Sequence, residues 1–99
     1  MALMQIAVIP LGGKGTSIGT HVAEIQKYLK TQKLPYRLHD MGTIVEGKAD
    51  ELLALAKKLH QIPFQKGIQR VYTVIALDDR RDKKVSLGDK IKSVRRKLR

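Results

Sequence analysis

Cysteine is absent from this 99-residue sequence, which excludes disulfide scaffolds, thiolate-ligated metal sites and thiol catalysis. Aromatic residues make up only 4%, so any core must be mainly aliphatic. No apolar run approaches the roughly 20 residues that a transmembrane helix needs, and the N-terminus lacks the pattern of a secretory signal. We therefore expect a soluble, cytoplasmic protein with no membrane partner.

Acidic residues are also scarce: 9 of them stand against 20 lysines and arginines, a net charge of +11. Residues 80–99 hold ten basic and two acidic residues, a local charge of +8. Such a tail suits an anionic partner such as RNA, because phosphate binding needs only accessible positive charge. A solvated helix face is the simpler interpretation, and the strands lack the aromatic platform of single-stranded RNA readers. Nucleic-acid binding through residues 86–99 is therefore kept as the alternative function.

The chain is long enough for one hydrophobic core, so we predict a single domain over residues 1–99. Apolar periodicity and turn signals divide it into seven elements. In order they are a strand at 3–11, a helix from a cap at Thr16 or Ser17 to before Pro35, strands at 36–40 and 43–46, a helix from 47–51 closed by Pro63 and Gly67, a strand at 70–78, and a basic helix at 86–99 capped by Ser86.

This order matches the split βαβ pattern of ferredoxin-like domains. It predicts an α+β, βαββαβ fold, in which a four-stranded antiparallel sheet carries two helices on one face and a C-terminal helix is added. The topology places the loop 11–17, the turn 40–43 and Arg70 at one end of the sheet. A ligand site is expected at that end or at an interface between copies.

Neither side of the predicted sheet is polar. In the strand 70–78, for example, Val71 and Ile75 point to one side, while Tyr72 and Val74 point to the other. The helices cover only one side, so self-association through the sheets is expected to cover the second. The apolar stripe of the C-terminal helix is expected to contribute to it; its members are Leu87, Ile91, Val94 and Leu98.

Motifs for chemistry are weak. The loop Gly12–Ser17 differs from a nucleotide-binding loop because Gly15 separates Lys14 from the hydroxyl residues. The three histidines have no partner at metal-ligand spacing, and no nucleophile, base and orienting group can be assembled. We expect no enzyme activity, catalytic residue, metal or cofactor.

Several motifs, in their order and spacing, resemble the small thiamine-binding protein family over nearly the whole chain. They are Gly15-Thr16-Ser17, Met41-Gly42-Thr43-Ile44-Val45-Glu46-Gly47, Arg70-Val71, Asp78-Asp79-Arg80-Arg81 and Ser93-Val94. The resemblance implies a non-enzymatic binder of thiamine or its pyrimidine portion, made of homodimers that pair into a homotetramer through their sheets. The ligand residues it implies are Thr16, Ser17, Met41, Gly42, Thr43 and Glu46.

Thiamine combines an aminopyrimidine edge with a cationic thiazolium ring, so its site needs hydrogen-bonding groups and an acid or aromatic face. We expect Thr16, Ser17 and Thr43 to serve the pyrimidine edge and Glu46 or Tyr72 the cation. A thiamine phosphate would instead bring an anion to Lys14 and the helix N-terminus.

Overall fold

The computed structural model describes residues 1–12 and 18–99. Its four strands are β1 (Ala2–Leu11), β2 (Tyr36–His39), β3 (Gly42–Gly47) and β4 (Arg70–Asp79). They form one antiparallel sheet in the order β2-β3-β1-β4. Together with the helices between them, this order confirms the predicted ferredoxin-like α+β fold.

The helices are α1 (Ile18–Thr31), α2 (Ala49–Gln65) and α3 (Asp89–Lys97). Both α1 and α2 bury a stripe of residues at helical spacing, which explains why these segments fold as amphipathic helices on the sheet. The buried members are His21, Ile25 and Leu29 of α1, and Leu52, Leu55, Ala56, Leu59 and Pro63 of α2. They meet alternate residues of the central strands, namely Ala2, Met4, Ile6, Val8 and Val45.

Both ends of α2 fall within the predicted bounds. Lys48 is its N-cap, and the Lys48 N–H donates to Glu51 Oε1 at 3.1 Å, which satisfies one of the free amides of the first turn. The helix passes Pro63 and ends at Gln65. A proline this close to the C-terminus removes a single helical hydrogen bond, and its buried ring adds to the core.

The cross-strand register places the end of β1 beside the start of β4, since Leu11 pairs with Arg70. The β2–β3 hairpin turns at the same end, where His39 pairs with Gly42. The predicted loop 11–17 overlaps residues 13–17, which lie outside the described part of the chain. The turn 40–43 and Arg70 thus share one end of the sheet, as the topology predicted.

The second sheet face is only partly covered, and its centre is largely apolar. Cross-strand partners share a face, and the side turned away from α1 and α2 includes Leu3, Ala7, Ile9, Ile44, Tyr72 and Val74. Tyr72 and Val74 are 59% and 46% exposed. Below, this surface is called the open face.

The C-terminal segment, residues 80–99, covers only one end of the open face. Val85 is buried there, and the Leu87 N–H donates to the carboxylate of Glu46. The N-cap of α3 is Gly88 rather than the predicted Ser86, although the Asp89 carboxylate does reach back to the Ser86 N–H, at 2.8 Å. No residue of α3 is buried. Three members of the C-terminal apolar stripe, Ile91, Val94 and Leu98, are exposed, and the fourth, Leu87, is half-buried.

Candidate ligand-binding site

A cavity of about 320 Å³ lies between the first half of α1, the middle of β1 and the β2–β3 turn. It exists because β1 is longer than the hairpin beside it: the pairing of β1 with β3 ends at Ile6 and Thr43, while β1 continues to Leu11. Ligand pockets in proteins typically measure about 300–1,000 Å³. The cavity is therefore large enough for a small ring compound.

Most of the lining is aliphatic. The apolar contributors are Ile6, Ala7, Val8, Ile9, Ile18, Val22, Ile25, Leu38 and Met41. Polar groups come from Gln26, His39, Asp40 and Thr43. An apolar cavity with a few polar groups is suited to a flat organic ligand, because the walls cover its faces and the polar groups orient it.

Thr43 and Gln26 form a part-buried polar pair in this cavity. Thr43 is only 4% exposed, and its Oγ1 accepts a hydrogen bond from Gln26 Nε2 at 3.1 Å. The pair joins β3 to α1 and holds the Gln26 amide in one orientation. Asp40 supplies a carboxylate at the turn, where positive charge on a ligand is favoured.

The structure brings together three of the six predicted site residues. Met41, Gly42 and Thr43 line the cavity, and the Met41 side chain is 85% exposed. Thr16 and Ser17 lie outside the described residues. The sixth residue, Glu46, is absent from the cavity lining.

Glu46 lies three positions after Thr43 on β3 and is 9% exposed. Its Oε1 accepts the Leu87 N–H at 2.6 Å. The carboxylate expected to meet a cationic ligand therefore holds the C-terminal segment in this structure, and Asp40 is the carboxylate at the cavity.

Sequence reasoning missed Gln26, Asp40 and Leu38 as lining residues. Leu38 follows from the β2 register, because it pairs with Thr43 and shares its face. Gln26 carries no local signal, since a glutamine in an amphipathic helix usually faces water. Only the packing of α1 on the sheet places its amide beside Thr43.

Within the part of the chain that the structure describes, no three His, Cys, Asp or Glu residues cluster in a way that holds a metal ion. Instead, His60 Nδ1 lies 2.7 Å from Thr73 Oγ1, and the His60 ring packs edge-on against Phe64. None of the described helices is both long and apolar enough to span a bilayer.

Ion pairs order the segment after β4. Arg80 donates two hydrogen bonds to the Asp82 carboxylate, at 2.9 and 2.6 Å, and these lower the pKa of Asp82 to about 2. The hydrogen bond from Lys90 Nζ to Asp78, at 2.7 Å, likewise lowers the pKa of Asp78. These contacts stand at the opposite end of β4 from the cavity.

Sequence comparisons connect the chain to a known family. The family profile described as thiamine-binding protein matches residues 4–95. The UPF0045 protein YqgV of Bacillus subtilis is 42% identical over 102 residues, covering 99% of this chain and 98% of the relative. A UPF0045 protein of Methanothermobacter thermautotrophicus is 39% identical over 99 residues, covering 99% of this chain and all of the relative.

Solved structures share the fold. The hypothetical protein MJ1052 of Methanocaldococcus jannaschii superposes with a TM-score of 0.81 at 30% identity, covering 94% of each chain. A Thermotoga maritima protein, provisionally described as a thiamine biosynthesis/salvage protein, superposes with a TM-score of 0.78 over 94% of this chain and 97% of its own. Its 15% identity shows the fold alone.

Proposed function

Because this chain belongs to the thiamine-binding protein family, we propose that it is a non-enzymatic binding protein for thiamine, its pyrimidine portion or a thiamine phosphate. The observation that carries the proposal is the apolar cavity beside Met41, Gly42 and Thr43. This element belongs to the motif through which the sequence resembles the family.

The cavity has chemistry for both parts of thiamine. The Gln26 amide and the Thr43 hydroxyl offer a donor and acceptors to an aminopyrimidine edge, and aliphatic walls cover its ring faces. Asp40 offers a negative charge to the thiazolium. In this proposal Asp40 takes the role that the sequence analysis gave to Glu46 or Tyr72.

Self-association completes the proposal. The open face combines exposed Tyr72 and Val74 with Ile9 and Ile44, an apolar surface that water disfavours. We propose that two copies pack through this face and that such dimers pair into a homotetramer. Ala7 and Ile9 belong both to the open face and to the cavity lining, so a second copy packed on that face borders the cavity.

Isothermal titration calorimetry of the full chain tests the ligand proposal. Thiamine, its monophosphate, its diphosphate and 4-amino-5-hydroxymethyl-2-methylpyrimidine are titrated separately, and saturable heat is expected from at least one of them. Val22→Phe places a phenyl ring in the cavity and is expected to abolish this heat. Leu53→Phe makes a similar enlargement at an exposed position on α2 and is expected to retain it. No heat from any of the four ligands contradicts the proposal.

A second candidate function is binding of nucleic acid through the basic C-terminal helix, residues 86–99. Five of its cations form no ion pair with any described residue: Lys92, Arg95, Arg96, Lys97 and Arg99. They are therefore available to phosphates.

Fluorescence anisotropy with a single-stranded RNA tests this second candidate at several salt concentrations. Changing Lys92, Arg95 and Arg96 to Gln is expected to lower the salt slope by about 0.7 per lost phosphate contact. The matched control changes Lys30, Lys57 and Lys58, which are exposed on α1 and α2, to Gln and leaves the slope unchanged. Equal slopes for the two triple variants contradict this candidate.

A further inference from the structure

One edge of β1 is unpaired where it borders the cavity. Register partners from β3 reach β1 as far as Ile6, whereas partners from β4 accompany it as far as Leu11. From Ala7 onward, β1 therefore has a described neighbour on its β4 side only. Ala7, Val8 and Ile9 all line the cavity.

The backbone geometry identifies Val8 as the residue whose polar groups face this gap. A Cβ atom at Gly42 would lie 2.9 Å from the Ile6 carbonyl oxygen, so that carbonyl points toward β3. Main-chain groups alternate sides along a strand. Val8 therefore presents both its N–H and its C=O to the β3 side, where its position has no β3 partner.

Two further features of β1 agree with this alternation. The Met1 carbonyl accepts the Arg80 N–H at 3.4 Å, which places the odd-numbered groups of β1 on the β4 side. Pro10, like Val8, is even-numbered, so the N–H that proline lacks would have faced the gap. A proline is tolerated inside this strand because its position takes no hydrogen bond from the β4 ladder.

Gln26 adds a side-chain acceptor to the same cavity. Its Nε2 donates a hydrogen bond to Thr43 Oγ1, and its Oε1 has no hydrogen-bond partner among the described residues. The cavity thus holds a main-chain donor, a main-chain acceptor and an amide oxygen within mostly aliphatic walls.

Building on the proposed function, we propose that the Val8 edge, meaning the main-chain N–H and C=O of Val8 on the unpaired side of β1, binds the ligand. We propose further that Gln26 determines specificity. The ligand class is a flat nitrogen heteroaromatic with an amino group beside a ring nitrogen. The ring nitrogen accepts the Val8 N–H and the amino group donates to the Val8 C=O, the pattern by which an added strand binds a sheet edge. The Gln26 oxygen accepts a further ligand hydrogen.

Amide hydrogen exchange followed by NMR tests the edge directly. In the free protein the Val8 N–H is expected to exchange at least tenfold faster than those of Ala7 and Ile9, which face β4. Adding 4-amino-2-methylpyrimidine is expected to slow the Val8 exchange and shift its amide resonance. A Val8 amide that is already as protected as its neighbours, or that ignores this probe, overturns the proposal.

Calorimetry tests specificity. Oxythiamine carries an oxo group in place of the pyrimidine amino group, which reverses the donor–acceptor pattern, and it is expected to bind at least tenfold more weakly than thiamine. Val8→Pro removes the N–H and is expected to weaken thiamine binding at least tenfold relative to Val8→Ala, which keeps the N–H. Gln26→Met is expected to reduce the preference for thiamine without loss of fold.

The outcomes separate the two proposals. If the wild type binds thiamine and oxythiamine equally, the Val8 edge does not recognise the ligand. If Gln26→Met keeps the full preference for thiamine, Gln26 does not determine specificity. The proposed function stands in both cases. If no thiamine compound gives heat but the Val8 amide responds to the aminopyrimidine, the edge proposal stands and the thiamine assignment fails. Should Val8→Pro fail to fold, the exchange measurement on the wild type decides.

Discussion

Glu46 and Leu87 are 41 residues apart in sequence and are joined by a hydrogen bond of 2.6 Å, from the Leu87 N–H to the Glu46 carboxylate. This contact fastens the segment after β4 to the open face. It also explains why an acidic residue on a sheet face is 9% exposed: the C-terminal segment both covers it and supplies its partner.

Removal of the Glu46 carboxylate is expected to destabilise the fold. Glu46→Ala leaves the Leu87 N–H without its acceptor, which costs about 1–3 kcal/mol in the free energy of unfolding. Glu46→Gln keeps an acceptor oxygen and is expected to cost less. Urea unfolding measures both. Thiamine affinity, measured in parallel, is expected to stay within about twofold of the wild type. A large loss of affinity in both variants would show that Glu46 belongs to the ligand site.

Gly42 is expected to be intolerant of a side chain. Its φ is +156°, and an added Cβ would meet the Ile6 carbonyl oxygen at 2.9 Å, a backbone atom that cannot move without disturbing β1. Gly42→Ala is expected to cost about 2–3 kcal/mol of stability. Gly67→Ala has a φ of +89° but open space around it, so only about 1 kcal/mol of conformational strain is expected there. Equal costs in thermal unfolding would show that the close approach at Gly42 is unimportant.

Self-association is expected to depend on the open face. Val74 and Ile75 are 46% and 45% exposed on opposite faces of β4, which makes them a matched pair. Val74→Lys places a charge within the proposed interface and is expected to shift the assembly toward monomer in sedimentation equilibrium. Ile75→Lys is expected to leave the mass unchanged. A wild type that is monomeric at micromolar concentration refutes the assembly outright.

The Arg80–Asp82 pair is expected to respond to acid. Its hydrogen bonds lower the pKa of Asp82 from 3.8 to about 2. Because the folded pKa lies below the unfolded one, the pair contributes stability above about pH 4, and this contribution is lost as pH falls through about 2. Carboxyl ¹³C shifts measure the titration. Arg80→Gln is expected to return the Asp82 pKa toward 3.8, whereas Arg81→Gln, which removes a partner of Asp79 instead, leaves it unchanged.

The helix and strand segments were readable in the sequence because each buries a periodic set of residues. Alternation in β1 and the spacing of Leu52, Leu55 and Leu59 in α2 follow from the geometry of a strand and a helix. The boundary error lies at α3, which begins after Gly88 rather than at the predicted cap, Ser86. Local hydrogen bonds decide such boundaries, and apolar periodicity does not report them.

By itself, the sequence determined the element order, the two-sided apolar character of the sheet and the Met41-Gly42-Thr43 motif at one end of it. The tertiary structure alone decided which polar groups meet. The packing of α1 places Gln26 beside Thr43, and the position of the C-terminal segment allows the Leu87 N–H to donate to Glu46. The unequal lengths of β1 and the hairpin create the cavity. Such contacts join residues far apart in the chain, and a periodic pattern records only which side a residue faces, not what lies across from it.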